Sequence, residues 1–285
     1  MKHLVVGASG QVGHLIMAHV QDHGDEVVGT YWSRPGEGLI ALDVRDAAAV
    51  NQLVQEVDPA VIWVPGAMAD VDQCERQPDL SYAVNVQGAV YLMEAAQARG
   101  VPLIFFSTDY VFDGRNGPYQ EADAPHPLQV YGTHKRKAEV ALLQYERTLV
   151  IRPAWIYSDD PHPRNFVYRV LRDLRAGRPI KAAVDQYNTP TPAGALARQA
   201  LRAVEEGVTG VLHLAGPERL SRFALVEKIA RRFGYPDAPI EPITIKDLPL
   251  PAARPLNGGL ITQYPEFRIR ESLSDLEVGK LLTAI

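Results

Sequence analysis

A chain of 285 residues with 46% hydrophobic and 22% charged residues suits one large domain, or one domain with a smaller appendage, and has the make-up of a soluble globular enzyme. Its formal net charge of −5 argues against a broad basic surface, so nucleic acid is not an expected partner. The single cysteine, Cys74, excludes an intramolecular disulfide and a cysteine-rich metal site. With no secretory pattern in MKHLVVGASG, the expected compartment is a reducing cytoplasm.

In chain order, HLVV (3–6) reads as a buried strand, QVGHLIMAHVQDHG (11–24) as a helix, and EVVGTY (26–31) as a strand. AAAVNQLVQEVD (47–58) is helical and VIWV (61–64) strand-like. VIWVPGAMA (61–69) is too short and too broken by Pro and Gly to span a bilayer, so no membrane contact is expected. Residues 80–100 read as one long helix ending at a glycine, LIFFS (103–107) as a buried strand, 130–146 as a helix and LVIRP (149–153) as a strand. Apolar strands alternating with helices predict a parallel sheet covered on both faces. Beyond residue 153 prolines thicken, at PHP (161–163), TPTP (189–192) and 236–255. Helices are expected at 164–176, 193–206 and 221–233, and a further sheet strand at VLHLAG (211–216). The expected division is a cofactor-binding domain over 1–153, rejoined by segments near 193–216, and a mainly substrate-binding region over 154–285.

GASGQVG (7–13) sits between the first strand and the first helix. Gly7 suits a tight turn, Gly10 a close approach to a pyrophosphate, and Gly13 close packing of helix on strand, with the helix N-terminus facing the phosphates. The second strand leads into TYWSRP (30–35), with no carboxylate to hold a ribose 2′-hydroxyl. Ser33 and Arg34 suit a 2′-phosphate, which favours NADP(H) while leaving NAD(H) open. Asp43 is a candidate for the adenine edge, or a turn or cap residue.

STDYVFDG (107–114) begins where a predicted strand ends, the usual ligand side of a parallel sheet. Thr108 there can donate to a substrate carbonyl. In YGTHK (131–135), Tyr131 and Lys135 share a helix face. A nearby ammonium would lower the phenol's pKa, making a proton-transfer device. Three histidines on the first helix, His14, His19 and His23, have no carboxylate or cysteine to complete a metal set, and Asp70 and Asp72 read as solvated turn or capping residues.

With GAMADVDQCE (66–75), VN (84–85), PLQVYGTHKRKAE (127–139), RPAWIYS (152–158), NF (165–166), DQYNTPT (185–191) and RPLNGGL (254–260), these segments make the chain resemble an extended short-chain dehydrogenase/reductase of the dTDP-4-dehydrorhamnose reductase family over nearly its whole length. The resemblance implies a Rossmann-type doubly wound α/β fold with a smaller C-terminal substrate-binding region. It implies reduction by NADPH of the C4 ketone of a nucleotide-linked 6-deoxy-4-keto sugar. In that reaction Tyr131 protonates the alkoxide, Thr108 polarises the carbonyl, and Lys135 holds the ribose and tunes the tyrosine. It further assigns Gln11, Val12, Val44, Gly66, Ala67, Met68 and Asn85 to the cofactor, beside the residues already named. Val71, Asp109, Trp155, Asn165, Gln186 and Arg254 are assigned to the substrate, with Arg254 on the diphosphate. Relatives can dimerise, sometimes with Mg²⁺, so a homodimer is a candidate assembly, and no Mg²⁺ ligand is assigned.

Departures from the family pattern fall at VPGA (64–67), Met68-Ala69, His134, Arg136 and Ala138, and leave the identity of the sugar open. Two other readings stand beside the reductase. One is a non-catalytic regulatory subunit similar to that of methionine adenosyltransferase. The other is an epimerase or dehydratase with tightly held NAD, against which the missing acidic residue after the second strand counts.

Overall fold

The computed structural model describes residues 1–159, 165–276 and 281; the PHP segment at 161–163 lies outside them. Seven strands form one parallel sheet: β1 (Lys2–Val5), β2 (Glu26–Tyr31), β3 (Ile40–Ala41), β4 (Val61–Val64), β5 (Leu103–Phe106), β6 (Thr148–Arg152) and the late strand Gly210–His213. Alternation along these strands builds two cores. Val5, Trp63, Ile104, Leu149 and Ile151 face one way, under helices α1 (Gly13–Asp22) and Ala193–Glu205. Leu4, Ile62, Phe105 and Val150 face the other, under α2 (Ala47–Val57), the helix Gly88–Arg99 and the helix Val130–Leu142. Burial on both faces explains why these strands read as unbroken apolar runs.

Spatial order places β1 between β2 and β4. The chain therefore reverses direction across the sheet at β1, and a crevice opens at the carboxyl ends of β1 and β4, the ligand site of doubly wound sheets. The expected Rossmann-type α/β fold is the fold observed.

The predicted helix over 80–100 is observed with a π turn inside it. After α3 (Val71–Arg76), the chain runs helically through α4 (Pro78–Tyr82), a π-helical turn at Ala83–Gln87 and α5 (Gly88–Arg99) without a gap. The π turn contains Asn85, which accepts from the Met68 N–H at 3.0 Å and donates to the Met68 carbonyl at 3.1 Å. One extra residue in a turn is invisible to apolar spacing, and such turns gather at functional sites. After α6 (Val130–Leu142), the chain adds β7 (Ile156–Tyr157), α7 (Phe166–Arg175), β8 (Ile180–Ala183), β9 (Tyr187–Asn188), β10 (Thr191–Pro192), α8 (Ala193–Glu205), β11 (Gly210–His213), β12 (Leu220–Ser221), α9 (Arg222–Arg232) and β13 (Ile240–Ile243). Here α8 and β11 join the main sheet layer, while α7 and α9 share a smaller core of Val170, Leu171, Leu174, Val226 and Ile229. Among the described residues no helix is long and apolar enough to cross a membrane.

Candidate active site

The floor of the crevice is made of backbone. Gly7 has φ +91°, and a Cβ there would stand 2.5 Å from the Gly66 Cα. A Cβ on Gly13 would stand 2.3 Å from the Gly7 carbonyl oxygen, so α1 can start this close to β1 only with glycine at that position. Gly10 donates its N–H to the Gly7 carbonyl at 3.1 Å, closing the turn. Val12 is the N-cap of α1, which has no side-chain cap and no acidic residue in its first turn. That N-terminus suits an anion. Gln11 donates to the Ser158 hydroxyl at 3.0 Å and so ties the loop to the chain after β7.

Thr108, Tyr131 and Lys135 come together beyond β5. Thr108 caps the short turn Asp109–Val111, accepting from the Tyr110 N–H at 3.2 Å and donating to Asp109 at 3.3 Å. Tyr131 enters on the first turn of α6, whose start is held by Gln129, accepting from the Gly132 N–H at 2.9 Å, and by Glu75, accepting from the Val130 N–H at 3.0 Å. Its ring meets Tyr110 edge to face at 6.3 Å and packs with Cys74, Met68 and Val71. Burial pushes the Tyr131 phenol well above its ordinary range, reinforced by Cys74 and Asp109 and opposed by Thr108. The expected lowering by Lys135 does not operate here, because desolvation of the phenolate dominates and the lysine is itself drawn toward neutrality. Lys135 is fully buried, its Nζ lies 3.7 Å from the centroid of Phe105, and burial brings it down to about 7. Its ammonium has no hydrogen-bond partner among the described residues, and with Val44, Gly66, Asn85 and Phe105 it lines a small cavity.

Behind the trio lies a network whose members stand inside the motifs STDYVFDG, PLQVYGTHKRKAE and RPAWIYS, where spacing assigns them no role. Glu139, one turn beyond Lys135, accepts from the Ser107 hydroxyl at 2.5 Å and from Arg152 at 2.8 and 2.6 Å. Arg152 also contacts His213 on β11 at 3.3 Å. Ser107 precedes Thr108, so the network couples the tyrosine helix to the hydroxyl-bearing strand end.

At the far end of β2, Ser33 is exposed and Arg34 half-buried. Asp43 is held by Arg45 through contacts of 2.9, 3.0 and 2.6 Å, and that pairing lowers its carboxyl pKa. Arg45 also lies over the exposed Trp32 ring at 5.1 Å. Arg45 and Trp32 carry no motif of their own, and each stands next to a predicted cofactor residue, Val44 and Ser33. Ala67 is half-buried directly after Gly66.

The substrate-side candidates fall into two groups. Asp109, Gln186 and Arg254 lie about Tyr110, and Trp155 joins them through Arg222. Asp109 is buried, accepts from Asn188 at 2.7 Å, and burial raises it to about 6. Gln186 donates to the Pro255 carbonyl at 3.4 Å and touches the Tyr110 hydroxyl. Arg254 is paired with Asp72 at 2.7 Å, so Asp72 is an ion-pair partner and not the solvated turn residue expected, while Asp70 caps α3. Asn165 stands apart: its amide caps α7 at Val167 and bonds both backbone groups of Ser158. Among the described residues, no cluster of three or more His, Cys, Asp or Glu is placed to hold a metal; His14 contacts the Gly10 carbonyl at 2.9 Å.

This crevice defines an oxidoreductase class, that of the short-chain dehydrogenases and reductases. The family described as RmlD substrate binding domain matches residues 1–273. The chain is 34% identical over 281 residues, 96% of its length and 94% of the relative's, to a probable low-salt glycan biosynthesis reductase, Agl14, of Haloferax volcanii. It is 32% identical to methionine adenosyltransferase 2 subunit beta of Xenopus laevis, over 97% of this chain and 88% of that one. It superposes on a dTDP-4-dehydrorhamnose reductase of Clostridium acetobutylicum with TM-score 0.84 at 31% identity, covering 92% and 90% of the two chains. A Bacillus anthracis dTDP-4-dehydrorhamnose reductase solved with NADP gives TM-score 0.83 at 26% identity, covering 91% and 89%. The chain belongs to the dTDP-4-dehydrorhamnose reductase family of extended short-chain dehydrogenases/reductases.

Proposed function

We propose that the protein reduces the C4 ketone of a nucleotide-linked 6-deoxy-4-keto sugar with NADPH, converting dTDP-4-dehydro-L-rhamnose to dTDP-L-rhamnose. The observation that carries this reading is the meeting of Thr108, Tyr131 and a buried Lys135 Nζ, without a hydrogen-bond partner among the described residues, beside the Gly7–Gly66 floor. The chain's residues fit a dinucleotide: the glycine floor admits a pyrophosphate, Lys135 has donors free for ribose hydroxyls, and Arg34 with Arg45 supplies positive charge for a 2′-phosphate. Bound NADPH would supply the hydride.

The chain's own part is proton transfer and orientation. Burial keeps the Tyr131 phenol protonated at neutral pH, which suits a donor to a forming alkoxide. Thr108 can turn its hydroxyl from Asp109 to the substrate carbonyl. A Lys135 ammonium becomes more favourable when ribose oxygens replace its apolar surroundings, and then helps the phenol release its proton. Residues 1–153 with 193–216 would hold the cofactor, and most of 154–285 the sugar nucleotide.

A second reading, a cofactor-binding regulatory subunit, has the 32% identity to a methionine adenosyltransferase subunit in its favour. Loss of NADPH absorbance on addition of dTDP-4-dehydro-L-rhamnose separates the two. Turnover supports the reductase; NADPH binding without turnover on this or other nucleotide-linked 4-keto sugars supports the regulator.

A further inference from the structure

Two donors near the catalytic end lack acceptors, and they touch each other. Arg222, the first residue of α9, lies with its guanidinium carbon 3.4 Å from the centroid of the Trp155 ring and 4.4 Å from that of Phe166. Among the described residues it has no carboxylate ion pair and donates no side-chain hydrogen bond, whereas Arg254 nearby is matched by Asp72. Trp155 is held at φ +35°, a left-handed conformation that strains a residue with a Cβ. Its Nε1–H is buried and also partnerless among the described residues.

Packing against aromatic rings fixes a guanidinium while leaving its edge free for a planar, bidentate acceptor. Charge balance points the same way. Arg222 lies within electrostatic reach of Arg169 and Arg254 and of the Asp109 and Tyr110 pair, and burial with the two arginines brings it down to about 10. Three guanidinium groups converge where the near carboxylates are Asp72, already engaged by Arg254, and Asp109, engaged by Asn188. Such a wall is completed by a ligand that brings negative charge.

We propose that Arg222, packed against Trp155 and Phe166, binds the diphosphate of the nucleotide sugar together with Arg254, with the Trp155 indole N–H as a further donor. This assignment rests on the nucleotide-sugar reading above and adds a residue to it. It makes Arg222 a binding and positioning residue, and it gives the strained Trp155 backbone a purpose: presenting a flat platform for the guanidinium.

The test uses tryptophan fluorescence and calorimetry with dTDP, UDP, GDP, dTMP and thymidine, on the wild type, Arg222→Gln and Arg222→Lys, with NADPH titration as the check on folding. The expected result is wild-type binding of a nucleoside diphosphate that weakens about 10- to 100-fold in Arg222→Gln. Arg222→Lys is expected to recover only part of it, since a lysine keeps the charge and loses the fork. Thymidine binding should be unchanged by either substitution, and in turnover the effect should fall on KM more than on kcat. Equal nucleoside diphosphate affinity in wild type and Arg222→Gln, with NADPH binding intact, would overturn the assignment of Arg222 alone. A wild type that binds NADPH but none of the nucleoside diphosphates would overturn the nucleotide-sugar reading and this inference with it.

Discussion

Two buried cations sit one turn of chain apart in their dealings with helix α6, and they are treated in opposite ways. Arg152 has a matched carboxylate in Glu139, which also takes a hydrogen bond from Ser107. Lys135, on the same helix as Glu139, faces an aromatic ring and a small cavity with no acceptor among the described residues. A satisfied buried pair fixes geometry, because removing either member strands a charge. A partnerless buried ammonium contributes nothing to the fold and disfavours it. The difference teaches where structure ends and function begins: the Glu139–Arg152 network aligns the strand end with the tyrosine helix, and the donors left over at Lys135, Trp155 and Arg222 mark the surfaces kept for ligands.

The largest effect is expected at the phenol. Tyr131→Phe should lower kcat on the keto sugar by about 10²- to 10⁴-fold with NADPH affinity unchanged, measured by steady-state kinetics and fluorescence titration. Near wild-type turnover would remove Tyr131 from the proton path.

Next in size is the satisfied pair. Arg152→Met should destabilise the fold by about 3–5 kcal/mol in urea unfolding, because Glu139 stays buried with only the Ser107 hydroxyl and the partly exposed Arg136 beside it. A loss under 1 kcal/mol would show that the network is not structural.

Lys135→Met should do the reverse. It should abolish efficient turnover yet raise stability on the order of 2 kcal/mol at neutral pH. The sign follows from burial. The folded-state pKa is near 7 and the ordinary value is 10.5, so between these the unfolded chain holds a proton that the folded chain lacks. Wild-type stability therefore rises as pH climbs from 7 toward 10.5. The advantage of the methionine variant should be largest at or below pH 7 and fade toward pH 10.5, by thermal unfolding across that range.

The smallest expected effect lies at the adenosine end. Arg45→Ala should weaken NADPH about 10-fold and NADH much less, as removal of one charged contact to a 2′-phosphate would. Equal losses for both cofactors would place Arg45 on the adenine or on Asp43 alone.

Much of this was legible in the sequence because it is local. Glycine spacing in GASGQVG marked the tight turn at Gly7 and the close packing of Gly13, and short unbroken apolar runs marked the strands. Tyr131, Lys135 and Thr108 were legible as motif residues, and the structure puts them beyond the same strand. What was not legible depends on long-range pairing or on a one-residue change of helical phase. The π turn at Ala83–Gln87 leaves no mark in apolar periodicity. Arg254 was visible, but its partner Asp72, 182 positions away, was not. Arg222 lies in an ordinary amphipathic helix start, and only the fold brings it onto Trp155. The fall of Tyr131 acidity into a buried, raised-pKa setting also follows from packing against Cys74 and Tyr110, which spacing alone does not give.

The most direct single measurement is hydride tracing with NADPH carrying deuterium at the transferable position and dTDP-4-dehydro-L-rhamnose as acceptor, with the product read by NMR. The account predicts deuterium at C4 of a 6-deoxy sugar nucleotide, formed by the wild type and nearly absent with Tyr131→Phe. Unlabelled, unreduced sugar in the presence of tightly bound NADPH would contradict it.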